Sequence, residues 1–137
     1  MSKTAKPSFE DVERVLREIV LPFYQIDRAI PLRFPGRSWE NDAEHSWSVA
    51  LVACMLAPHI DPKLDVGKVC QFAIAHDLVE LYAGDTNVYG PEEHHETKEE
   101  REHKALQKLS KEFAHLPWLT ETLAAYEAQD TAEALYV

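Results

Sequence analysis

A chain of 137 residues suits a single domain, and folding at that size removes roughly two-thirds of the unfolded surface from water. With 45% hydrophobic and 28% charged residues, the composition is neither that of a disordered chain nor that of a fibrous one. A formal charge of -10, from 24 acidic against 14 basic residues, excludes a general phosphate-backbone surface and so argues against a nucleic-acid polymer as partner.

An anionic ligand would therefore need a local attraction, and a bound metal ion supplies one by overriding the sign of its surroundings. The stretch "MSKTAKPSFEDVERVL" has no apolar signal core, and no run reaches the roughly 18 apolar residues of a bilayer span, so neither export nor membrane insertion is expected. Cys54 and Cys70 lie in apolar, helix-like stretches and read as buried free thiols in a reducing, cytoplasmic setting.

Ser8 with Asp11 three residues on predicts a helix start, and Phe9, Val12, Val15, Leu16, Ile19 and Val20 follow helical spacing to an end near Pro22. From Tyr24 to Glu40, Pro31, Pro35 and Gly36 break any pattern, giving an ordered loop that carries Arg28, Arg33 and Arg37. A guanidinium takes two phosphate oxygens in a fork, so these three are the candidate phosphate contacts, although solvated loop charges need no function.

Asn41 and Glu44 resemble a capping box for a second helix, with an apolar face of Val49, Val52, Ala53 and Leu56 and an end before Pro58. His45 falls in its first turn, on the inward side. A third helix is predicted from Val66 to Gly84, with Val69, Cys70, Ala73, Ile74, Asp77, Leu78 and Leu81 on its lining face.

Glu92 to Phe113 reads as a polar helix with a stripe of Ala105, Leu106, Leu109 and Phe113, and Pro117 to Val137 as one last uninterrupted helix. No alternating strand pattern survives, so the expectation is all-α, a bundle of about five or more helices. Trp47 and Trp118 read as core or interface aromatics.

Within the third helix, "AHDLVELYAGD" sets His76, Asp77, Glu80 and Asp85 in an apolar run where burial of charge is costly. Imidazole nitrogen and carboxylate oxygen suit a borderline or hard divalent cation, which would compensate that charge. For an isolated His-Asp dipeptide, a structural hydrogen-bonded pair near a helix end is the better reading. A rival metal face, His95, Glu99 and His103 at successive turns, sits in a run so charged that a solvated surface explains it better. Lys98 can reach a phosphate from the same helix, or simply pair with Glu102.

The combination of "AEHS" at Ala43 to Ser46, "HDLVELYAGD" at His76 to Asp85 and the arginine-bearing loop resembles the HD-domain metal-dependent phosphohydrolases, specifically the 5'-deoxynucleotidase branch. The resemblance covers Phe9 to the C-terminus and implies one HD-type domain over residues 1–137. By that resemblance His45, His76 and Asp77 are metal ligands, Glu80 orients or deprotonates the attacking water, and Asp85 assists as acid, base or substrate contact. The implied cofactor is a divalent ion, with cobalt, manganese, magnesium, zinc, nickel and iron all compatible with such donors.

The implied substrate is a small-molecule (deoxy)nucleoside 5'-monophosphate and the implied assembly a homodimer. The same core also serves triphosphate-releasing hydrolases, and a non-catalytic nucleotide-binding module or a helical interaction protein are the readings from other classes. Two departures stand out. The branch's Arg-Trp pair is matched only by Arg28 in "DRAIPL", with Trp39 coming from elsewhere. The family's last ligand follows "YEAQDTAEALYV" and is expected just beyond Val137, with Asp130 read as an ordinary exposed acid rather than a substitute.

Overall fold

The computed structural model describes residues 5–29, 35–36, 40–84 and 92–137, the last stretch without its side chains at 92–97. Arg33, Arg37, Trp39 and Asp85, and the His95 side chain, lie outside the described residues. The described chain is helical without a named strand, as the patterning predicts.

The first helix starts as expected: Ser8 caps α1 (Phe9–Val15), its hydroxyl accepting from the Asp11 amide while the Asp11 carboxylate accepts from the Ser8 amide. A wide π-helical turn, Leu16–Val20, then leads into α2 (Leu21–Phe23). An unbroken α-helix would drive the Pro22 ring into the carbonyl of Glu18 four residues back, and the wider turn relieves that clash. Ile19 and Phe23 are buried as a result.

Asn41 caps α3 (Asp42–Ile60) with a reciprocal Glu44 contact, again as expected. Two expectations for this helix fail. It runs through Pro58 to Ile60. Its buried face is Asp42, Ser46, Ala50 and Ala57, whereas Val52 and Leu56 are 53% and 47% exposed. Small residues let α3 approach its neighbour closely, and that shape requirement outranks the apolar periodicity.

The neighbour is α4 (Val66–Ala75), capped by Asp65 and packed along α3. The predicted continuous helix to Gly84 is interrupted: α4 stops at Ala75, residues 76–79 form tight turns, and α5 (Glu80–Ala83) follows. Bonds from Leu78 to the Ala75 carbonyl, 3.0 Å, and from Glu80 to the Asp77 carbonyl, 2.9 Å, span three residues rather than four and tighten the chain there. Gly84 ends α5 at φ 75°, which suits glycine.

The polar helix α6 (Glu92–Glu112) buries Ala105 and Leu109 as its stripe predicts, and Phe113 follows it into the core. The last segment is two helices, α7 (Pro117–Ala128) and α8 (Ala132–Tyr136), because Gln129 adopts φ 50° and Thr131 recaps the chain. The core joins Ile19, Phe23, Leu78, Val79, Leu109, Phe113 and Leu123 from four helical segments and two turns. Tyr136 donates to the Ala53 carbonyl at 2.9 Å and the Asp65 amide donates to Glu133 at 3.0 Å, tying α8 to α3 and to the start of α4.

Behind the α3–α4 pair an apolar groove of roughly 960 Å³ is lined by Tyr24, Trp47, Leu51, Ile74 and Trp118 among others. Trp47 is 68% exposed and Trp118 50%, so neither is a core residue. Cys54 and Cys70 are free thiols as expected, yet both are partly exposed along this groove rather than buried.

Candidate metal centre

His45, His76 and Asp77 each present one ligand atom within 4.8 Å of the others, the only such set of three among the described residues. His45 comes from the first turn of α3, and His76 and Asp77 from the turn that ends α4. The tight turn at 76–79 is what swings both side chains toward α3. Asp77 Oδ2 is the hub, 3.2 Å from His76 Nε2 and 3.6 Å from His45 Nε2, and the two rings stand 5.5 Å apart.

The donors are suitably prepared. His76 Nδ1 lies 2.7 Å from the Ala73 carbonyl, which accepts from it and turns Nε2 toward the hub. Burial, helped by the positive charge of Arg28, lowers the pKa of His45 and keeps the ring neutral, as a ligand must be. Burial pulls His76 the same way, but its hydrogen bond to Asp77, the carboxylate's charge and the Ala73 carbonyl outweigh it and raise the pKa. Burial pushes Asp77 up, and the contact with His76 and the charge of Arg28 more than reverse that, so the carboxylate stays ionised. Two imidazoles and a carboxylate converging on one point fit a divalent metal, which would take the place of the proton that the raised pKa favours on His76.

Arg28 approaches from the loop. Its Nη1 lies 2.9 Å from Asp77 Oδ2 and 3.5 Å from the fully buried Asp42. The sequence marks Arg28 as a phosphate contact, and the structure places it against the centre, engaged with two carboxylates. Glu80 is 3% exposed at the start of α5, one tight turn after Asp77 rather than one turn along a continuous helix. Tyr126 of α7 lies edge-on to His76, ring centres 6.0 Å apart.

On α6, Lys98 pairs with Glu102 at 3.4 Å, the simpler of its two expectations. Burial raises the pKa of Glu102, and the charges of Glu127 and Asp77 add to it against Lys98. His103 faces Gln107 at 3.0 Å on the exposed side of α6, and Asp130 is exposed between α7 and α8, so neither joins the centre. The residue that sequence reasoning missed is Glu40, 2% exposed, whose Oε2 lies 3.9 Å from His45 Nδ1.

An all-helical domain with a His, an adjacent His-Asp pair and a metal-suited donor set defines a narrow class. A family model described as HD domain matches residues 25–137, and the chain belongs to the HD-domain family. No curated protein matches it significantly. Among solved structures it is similar to a predicted metal-dependent phosphohydrolase from Magnetospirillum magnetotacticum MS-1, with 33% identity and a TM-score of 0.68. The match covers 93% of this chain and 65% of that one, so the chain spans about two-thirds of the length of that neighbour.

Proposed function

We propose that this chain is a metal-dependent phosphohydrolase acting on (deoxy)nucleoside 5'-monophosphates to give nucleoside and phosphate. The observation that carries the reading is the convergence of His45 Nε2, His76 Nε2 and Asp77 Oδ2 in an HD-domain chain. The similarity to the Magnetospirillum phosphohydrolase supports the reaction class. The narrower substrate rests on the Glu, Gly and Asp spacings of Glu80, Gly84 and Asp85 after the His-Asp pair.

In this reading His45, His76 and Asp77 would hold a divalent metal, which when bound would supply polarisation of a phosphoryl oxygen and a lowered pKa for water. The chain supplies the rest. Arg28, with Arg33 and Arg37 from the same loop, gives cationic forks for the phosphate. Glu80, a carboxylate beside the ligand pair, takes the proton of the attacking water, and Asp85 assists in proton transfer.

The test couples metal content of the wild type and His76→Ala to phosphate release from a panel of nucleoside monophosphates with cobalt, manganese or magnesium. Metal and turnover lost together support the reading, and metal retained by the variant overturns the ligand assignment. Release of inorganic triphosphate from nucleoside triphosphates, with monophosphates untouched, would replace the substrate. Glu80→Gln is expected to keep metal and lose turnover; full activity in that variant removes Glu80 from its role.

A further inference from the structure

Two carboxylates on one short segment are buried beside the centre, where neither serves the core. Glu40 is 2% exposed and Asp42 fully buried, with Asn41 between them turned away to cap α3. Residues i and i+2 of extended backbone face the same way, so the alternation delivers both acids to one side. A bridge between Asp27 and Asn41 pins the segment: the Arg28 amide donates to the Glu40 carbonyl at 3.0 Å, and the Asp42 amide to the Ile26 carbonyl at 2.9 Å. That ladder also fixes where Arg28 leaves the backbone.

Glu40 faces a candidate ligand directly, and Asp42 reaches one through Arg28. His45 presents Nε2 to the Asp77 hub and Nδ1 to Glu40, 3.9 Å from Oε2. Glu40 Oε1 has no hydrogen-bond partner among the described residues, so the described contact of this buried carboxylate is the one with His45. Asp42 meets Arg28 Nη1 at 3.5 Å, and the same nitrogen meets Asp77 at 2.9 Å. Buried charges are costly, and apolar side chains of similar volume would serve stability as well or better, which leaves orientation of the neighbouring groups as what the charges supply.

We propose that Glu40 and Asp42 are positioning residues of the metal centre, Glu40 orienting the His45 ring from behind and Asp42 holding Arg28 against Asp77. The inference rests on His45, His76 and Asp77 being the metal ligands. A carboxylate behind a ligating imidazole fixes its tautomer and raises its basicity, and loss of such a partner typically weakens metal binding about 10- to 100-fold. His76 has the Ala73 carbonyl in the equivalent place, so the two histidines are held by different means.

The experiment titrates cobalt(II) alone into the wild type, Glu40→Gln, Glu40→Leu and Asp42→Asn, following heat and the visible absorption of the bound ion. Thermal unfolding of each metal-free protein is measured alongside. The expected result is graded: Glu40→Gln keeps an acceptor for Nδ1–H and loses part of the affinity, while Glu40→Leu loses about 10- to 100-fold with a shifted cobalt spectrum. Asp42→Asn is expected to weaken cobalt binding too. Variants that unfold at lower temperature yet bind cobalt with wild-type affinity and spectrum overturn the proposal. Absence of cobalt binding in the wild type, or undiminished binding in His76→Ala, instead removes the ligand assignment and this inference with it.

Discussion

Arg28 Nη1 shares Asp77 Oδ2 with both candidate imidazoles, so a cation already stands at the hub before any metal arrives. The guanidinium helps to hold the Asp77 carboxyl below the ordinary range, which balances the charge of the metal-free centre. Arg28→Ala leaves Asp42 and Asp77 without that partner and should destabilise the metal-free protein by on the order of 1–3 kcal/mol. Saturating manganese should restore part of the loss, because the ion takes over the charge at Asp77. Urea unfolding with and without manganese measures both; an equal loss in the two conditions would show that Arg28 acts elsewhere than on Asp77.

The candidate ligands are legible in the sequence, because His76 and Asp77 interrupt an apolar run and His45 matches the first His of the family the chain resembles. Glu40 is not, since it sits in the irregular stretch before the helix where no period applies. Its one clue is the two-residue spacing to Asp42. The commitment of Arg28 to Asp77 is likewise invisible, because residues 28 and 77 meet only through the fold.

At the scale of elements, α5 is clamped to α6 by Tyr82. Its hydroxyl donates to Glu112 at 2.5 Å, and Lys108 lies 3.9 Å above its ring. Burial and the Glu112 carboxylate push the Tyr82 pKa up to about 12. A phenol raised above its unfolded value of about 10 gives stability that is complete below that pH and is lost as pH rises toward 12. Tyr82→Phe should remove that part of the alkaline downturn, and an ultraviolet titration should lose its last-ionising tyrosine. An unaltered titration would show that Tyr82 is not the late group.

Leu109 and Phe113, fully buried on successive turns, bring α6 onto the core. Leu109→Ala should cost about 2–5 kcal/mol of stability by chemical denaturation, and a loss under about 1 kcal/mol would mean that the site collapses around the cavity. This stripe and both capping boxes are legible because they depend on residues three and four apart. The ends of elements are less so. No glycine or proline marks the break after Ala75, where Leu78 and Val79 carry the apolar pattern straight through, and no breaker other than Gln129 separates α7 from α8. Packing decides both. On α3 the apolar residues go nearly all round, so the periodicity does not pick out the small-residue face that α4 covers.

For the whole molecule, the all-helical class follows from patterning, and the union of two helix ends at one centre is what the resemblance to the HD-domain family implies. The apolar groove behind α3 and α4 does not, since it lies between segments distant in the chain. One consequence of the architecture concerns order in time. All three candidate ligands belong to a single helical hairpin, α3 and α4 with the turn after it, whereas the N-terminal bridge, α6, α7 and α8 reach that hairpin from outside. Local contacts close faster than distant ones, so the donor set is able to assemble before the rest of the bundle docks. Cobalt present during refolding should then accelerate folding as well as slow unfolding, and stopped-flow rates that change only on the unfolding side would place assembly of the donors after the transition state. A nascent chain would on this account carry these three candidate donors as soon as Asp77 clears the ribosome, while its C-terminal helices are still unmade.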